Sequence, residues 1–115
     1  MKNEQKKKHF RMLDNVKDFM RQQNPEVKKE LNHIIWRLER DGILLMPYGE
    51  KVIGEDLFAI RVVNAGNVRV FYVYGIHDLI FGIHGYVKKT QVIPEKEKAY
   101  ARKVLRELTK GGLIQ

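Results

Sequence analysis

The sequence predicts an α+β domain: an N-terminal helical hairpin, an antiparallel β meander of three to four strands, and a C-terminal helix. Two observations predict it. Apolar residues recur at helical spacing over residues 16–38 and again over 97–108. Between these stretches, β-branched and aromatic residues gather into three runs parted by short turns rich in Gly, Asn and Asp. No repeat, low-complexity segment or linker divides the 115 residues, so one domain is expected over 1–115. Residues 1–8 read as a flexible basic tail and 111–115 as a flexible end.

Residues 8–12 can form a short strand. Asp14 can cap a short helix carrying Val16, Phe19 and Met20 on one face. Asn24-Pro25-Glu26 opens a second helix, with Asn as cap and Pro at the first helical position. Its apolar stripe is Val27, Leu31, Ile34, Ile35 and Leu38, and Gly42 is a natural stop. Residues 43–55, with Pro47, Gly49 and Gly54, read as a loop. Leu57–Val63 is a strand, Asn64–Asn67 a turn, and Val68–Tyr74 a second strand. Gly75–Asp78 turns the chain into Leu79–Lys88, the third. Pro94 opens the last helix, whose inward stripe is Glu97, Ala101, Val104, Leu105 and Leu108, ended by Gly111-Gly112. The helices are expected on one face of the sheet.

Composition removes several classes of function. Hydrophobic residues make up 43% and charged residues 31%, and no run approaches 18 apolar residues, so no membrane-spanning helix is expected. The basic start lacks an apolar segment behind it and does not read as a secretory signal. There is no cysteine, which excludes disulfides, thiolate zinc sites and cysteine nucleophiles, and fits a cytoplasmic location. There is no serine either, and the threonines are Thr90 and Thr109. An enzyme that needs an activated protein hydroxyl or thiol is therefore disfavoured. The histidines His9, His33, His77 and His84 lack ligand spacing and have no acidic pair beside them, so neither metal nor other cofactor is expected.

The net charge of +8 is unevenly placed. Residues 1–11 carry five Lys/Arg against one acid, residues 12–83 nine against ten, and residues 84–115 eight against three. A clustered excess of one sign repels itself unless a polyanion is the partner, which points to nucleic acid.

Alternation along the third strand puts Gly82, His84, Tyr86 and Lys88 on one face and Leu79, Phe81, Ile83 and Val87 on the other. The second set is apolar and reads as the core face. If Tyr74 pairs with Leu79, Arg69 lies opposite His84. Arg61 joins them only if the preceding hairpin has a three-residue loop, because a two-residue loop flips it away. Arg61, Arg69, His84, Tyr86 and Lys88 would then form a cationic, titratable patch without a carboxylate. Cleavage of RNA by its own 2′-hydroxyl needs little more: a base, cations around the phosphorane, and an acid for the leaving oxygen. Taken singly, each member has a bland reading, since histidines and arginines on strands are mostly structural. Tyr72, Tyr74 and Trp36 read as packing residues, His77 as a turn residue, His33 as helix surface and His9 as tail.

The stretch from Ile83 to Glu97, with His84-Gly85-Tyr86-Val87-Lys88-Lys89-Thr90 and Pro94 ahead of Ala101, resembles the C-terminal signature of phage-associated RelE/HigB-type toxins. Leu57–Arg61 and Val68–Tyr72 resemble the two arginine-bearing strands of that family, and the likeness covers residues 12–108. It implies a RelE-like ribonuclease fold and a type II toxin that cleaves mRNA without metal, on the ribosome. The implied partner is a small helix-turn-helix antitoxin, in a toxin–antitoxin hetero-oligomer or beside a toxin homodimer. Carried over, Arg61 and Arg69 contact the scissile phosphate, and His84, Tyr86 and Lys88 act as acid/base or phosphate-holding groups. Lys89 holds RNA, and the basic face of the last helix (Arg102, Lys103, Arg106) extends that surface. Ala59 stands where the family usually has an acid. A non-catalytic RNA- or ribosome-binding module is the alternative. A DNA reader ranks last, since no helix pair here looks like a helix-turn-helix.

Overall fold

Asn24 and Gly42 bracket the longest helix as expected. The Asn24 side chain accepts the Val27 N–H at 2.9 Å, and Gly42 takes φ 81°, a left-handed conformation that costs glycine nothing. Between them Val27, Leu31, Ile34, Ile35 and Leu38 are all buried.

The computed structural model describes residues 5–52 and 54–114. In chain order its elements are β1 (His9–Met12), α1 (Asp14–Arg21), α2 (Pro25–Asp41), β2 (Gly49–Lys51), β3 (Phe58–Arg61), β4 (Val68–Tyr74), β5 (Leu79–Val87) and α3 (Glu95–Lys110). The strands form one mixed sheet in the order β1-β5-β4-β3-β2, with β1 parallel to β5 and the other pairs antiparallel.

The fold is α+β, but it does not begin with the helical hairpin. Strand β1 precedes it and places His9 in the sheet rather than in a tail. Strand β2 forms inside the stretch that reads as a loop, pairing Gly49–Lys51 with Ile60–Phe58. At the first helix the cap position is Leu13, with no side-chain cap, and Asp14 is the first helical residue. There its charge favours the helix dipole instead of capping it.

The helices also do not share one face. Strand β4 is apolar on both sides, so both need cover. Val68, Val70 and Tyr72 pack with Phe10, Val16 and the α2 stripe, whereas Phe71 and Val73 pack with Ala101 and Leu108 of α3. Tyr74 closes the first layer by donating its hydroxyl to the Gly42 carbonyl at 2.9 Å. Two glycines of β5 let aromatic rings lie against the strand. A Cβ on Gly82 would come within 2.7 Å of the Phe10 ring, and one on Gly85 within 2.4 Å of the Phe19 ring.

The chain ends are tied where they are described. Residues 1–4 and 115 of the expected flexible ends lie outside the described residues. Lys7 and Lys8 donate their N–H groups to the Glu39 carbonyl, and the Glu39 carboxylate accepts from Phe10 N–H at 2.8 Å. Leu113 accepts from Ile76 N–H, and Ile114 is buried.

Glu30 of α2 fixes the β3–β4 connection by accepting the N–H groups of Val63, Asn64 and Ala65. Burial raises its pKa, but these N–H groups and the Asn64 amide outweigh burial and hold the carboxyl below its ordinary value. A depressed folded-state pKa means that the stabilisation is complete above the unfolded-state pKa and fades as pH falls through the folded one. Glu30→Gln is expected to cost about 1 kcal/mol at neutral pH, discounted for solvent around the site. Urea titrations should show that difference shrinking below pH 4, approximately where carboxylates protonate.

Candidate active site

Strand pairing assembles two adjacent rows of side chains beneath α3. In one row Arg61 of β3 lies opposite Arg69 of β4, and Arg69 lies opposite Tyr86 of β5. In the next row Glu50 of β2 is opposite Ala59, Ala59 opposite Phe71, and Phe71 opposite His84.

Two registers decide this. Val62 N–H donates to the Val68 carbonyl at 3.0 Å, which leaves residues 63–67 as the connection. That link is longer than a three-residue loop but has the same parity, so Arg61 and Arg69 face the same way. On β5, Tyr72 pairs with Gly82 but Phe71 pairs with His84, so Ile83 is an extra residue in the ladder. A bulge of this kind reverses the alternation beyond it. Phe81 and Ile83 therefore share the α3 side with His84 and Tyr86 instead of opposing them. Tyr74 pairs with Ile80 and not with Leu79, and this one-residue step together with the bulge gives Arg69 the partner Tyr86, not His84.

The patch is not solvent-facing and not free of carboxylates. Arg69 is 6% exposed and Tyr86 5%. Glu50 places a carboxylate oxygen 3.6 Å from Arg61 Nε. Glu97, brought down by α3, sits 2.6 Å from His84 Nε2. The His84 ring stacks on Tyr86 and meets Tyr100 of α3 at a centroid distance of 4.6 Å. Sequence reasoning missed Glu50, Glu97 and Tyr100 as members. One signal for Glu97 was present: it leads an otherwise apolar, inward-facing helical stripe.

The electrostatics are those of an incomplete anion site. Arg61 Nε, Arg69 Nε and the Tyr86 hydroxyl are buried and have no hydrogen-bond partner. An Arg69 guanidinium N–H reaches only the Val68 carbonyl, at 3.3 Å. Burial lowers the Arg69 pKa, and neighbouring Arg61 lowers it further, while Glu50 and Tyr86 oppose the shift. The Tyr86 phenol is pushed up to about 12 by burial, against the pull of Arg69, so at neutral pH it stays a proton-bearing donor. Unpaired buried donors are costly. Two guanidiniums and a phenol side by side in one row, each with a buried donor that makes no hydrogen bond, suit a tetrahedral oxyanion. Glu97 accepting from His84 Nε2–H would fix the tautomer and leave Nδ1 to take a proton.

The remaining predicted residues are placed as follows. Lys88 follows β5, its N–H bound to the Asn67 carbonyl at 2.7 Å. It stands next after His84 and Tyr86 in the alternation. Lys89, Lys103 and Arg106 are exposed. Arg102 is committed to carboxylates, reaching Glu55 at 2.6 Å and also Glu95. It clips α3 to the β2–β3 connection. Among the described residues no group of three or more His, Asp or Glu side chains converges in a metal-holding arrangement. No helix among them is long and apolar enough to cross a membrane.

A family model described as phage derived protein Gp49-like (DUF891) matches residues 18–106. That span contains both rows, while β1, the start of α1 and the end of α3 lie outside it. No curated protein matches the chain.

Proposed function

We propose that this chain, which belongs to the phage-derived Gp49-like family, a family associated with toxin–antitoxin toxins, is a metal-independent endoribonuclease of RelE/HigB type that cleaves mRNA on the ribosome. What supports this most is the trio of buried donors that make no hydrogen bond, Arg61 Nε, Arg69 Nε and Tyr86 OH, beside the His84–Glu97 pair. A scissile phosphate would supply the acceptors that the trio lacks.

In the proposed reaction His84, oriented by Glu97, removes the proton of a ribose 2′-hydroxyl. The 2′-oxygen bonds to phosphorus, the bond from phosphorus to the 5′-oxygen breaks, and that oxygen leaves with a proton donated by the Lys88 ammonium. The products are a 2′,3′-cyclic phosphate and a 5′-hydroxyl. Arg61, Arg69 and the protonated Tyr86 carry the charge of the phosphorane, and Lys88 stands beside the leaving group. No protein nucleophile is required, which agrees with a chain lacking Ser and Cys. Lys89, Lys103 and Arg106 would guide the RNA backbone. On this reading the whole chain is one cytoplasmic domain with a RelE-like ribonuclease fold. It is held in check by a small helix-turn-helix antitoxin in a hetero-oligomer.

The test is to add the purified protein to actively translated mRNA and to identify the ends of the fragments. Cleavage that leaves 2′,3′-cyclic-phosphate and 5′-hydroxyl ends is the expected result, whereas 5′-phosphate and 3′-hydroxyl ends would overturn the proposed route. Intact mRNA, free and ribosome-bound alike, together with salt-dependent RNA binding, would establish the non-catalytic RNA-binding module instead.

A further inference from the structure

The loop after α2 leaves large apolar side chains in solvent. Ile43 is 57% exposed, Leu45 74% and Met46 71%. Isolated exposed apolar residues are ordinary, but neighbours that line one hollow mark an interaction site. These three, with Leu44 and Tyr48, line a groove of about 510 Å³ whose rim is Arg37, Arg40 and Asp41.

The rim is positive. The Arg37 guanidinium lies 5.6 Å from the centre of the Tyr48 ring, and Arg40 lies 4.8 Å from that of Trp36. Arginines stacked in this way extend the apolar floor while their charge stays at its edge. Asp41 is already held by Arg40 through two 2.8 Å hydrogen bonds. Its carboxyl is lowered chiefly by that bond, with Lys7 and Arg37 adding to the positive field.

We propose that this groove docks an acidic amphipathic helix from a partner protein. Its apolar stripe would cover Ile43, Leu45 and Met46, and its carboxylates would meet Arg37 and the nearby Lys7. Aliphatic side chains offer nothing to phosphates or to the faces of bases, so RNA is a poor occupant. A second copy would bring another Arg37 and Lys7 to the same groove edge, which like charge opposes. Such docking requires no RNA cleavage and stands apart from it.

Trp36 is the chain's sole tryptophan and lies under Arg40 beside the groove, so its fluorescence reports occupancy. The probe is a synthetic helical peptide of about four turns, Leu on one face and Glu on the other, compared with the same peptide carrying Lys for Glu. A saturable change in Trp36 emission is expected for the acidic peptide, at least about tenfold weaker for the basic one. Leu45→Asp and Met46→Asp should each weaken binding about tenfold or more. Both sites are so exposed that the variants keep their circular dichroism. Equal response to the two peptides, no response to either, or displacement of the peptide by a short RNA would overturn the proposal. So would self-association of the protein alone that Leu45→Asp abolishes, which would assign the groove to a second copy.

Discussion

Replacing Arg61 by Gln is expected to lower mRNA cleavage by about 10²–10³-fold, the cost of removing one preorganised donor from a developing oxyanion. The same change should leave the melting temperature unchanged or raise it. Arg61 stands directly opposite Arg69 and is one of the influences that lower the Arg69 pKa, so its removal relieves like-charge repulsion. Its ion pair to Glu50, at 3.6 Å with both partners about a quarter exposed, contributes little to stability. A residue kept only for the fold would do the opposite, losing stability without touching chemistry. The Arg61→Gln/Arg69→Gln double variant should abolish growth arrest on expression. Kinetics on translated mRNA and thermal melts of the same preparations decide the matter. Unchanged cleavage in a folded double variant removes this site from consideration.

Gly85→Val is expected to destabilise the fold by about 3 kcal/mol, the upper end of the usual cost of overpacking a core. The melting temperature should fall by roughly 12 °C for a chain of this size. An added Cβ already lies 2.4 Å from one Phe19 ring atom and 2.8 Å from another, and valine adds two methyl groups beyond it. Phe19 belongs to the short helix α1, held by Val16 in the core, so the ring yields only by lifting α1. The double variant Gly85→Val/Phe19→Ala should recover part of the loss, read by urea denaturation. A simple sum of the two single costs would show that the clash is elsewhere.

Local chemistry made much of the fold legible. Asn24, Pro25 and Gly42 write the limits of α2 into the chain, and its stripe lies wholly inside. Strands β4 and β5 are runs of β-branched and aromatic residues with turn residues between them. What stayed hidden depends on pairing between distant segments. Strand β2 is three residues long and carries Gly, Glu and Lys; it exists because β3 offers an edge. The cover on both faces was readable in principle, since β4 is apolar at nearly every position.

For the site, the residue types were legible and their arrangement was not. Alternation along β5 holds only up to Ile83, where the ladder takes in one residue too many. No propensity at Ile83 announces that. The missed carboxylates share this origin: Glu50 arrives by strand pairing and Glu97 by helix packing. Ala59 stands directly opposite Glu50, so the acid that the resemblance places on β3 is present one strand away.

The parallel pairing of β1 with β5 joins His9 to Leu79 and Met12 to Gly82, the first part of the chain to one of the last. During synthesis the opening strand leaves the ribosome about 70 residues ahead of its partner, and domains emerge over several seconds. Until β5 follows, Phe10 and Phe19 lack the glycines they rest on, and the rows of arginine and histidine have no second half. A chain that stops before Leu79 therefore lacks β5, and with it His84 and Tyr86, so neither row is complete.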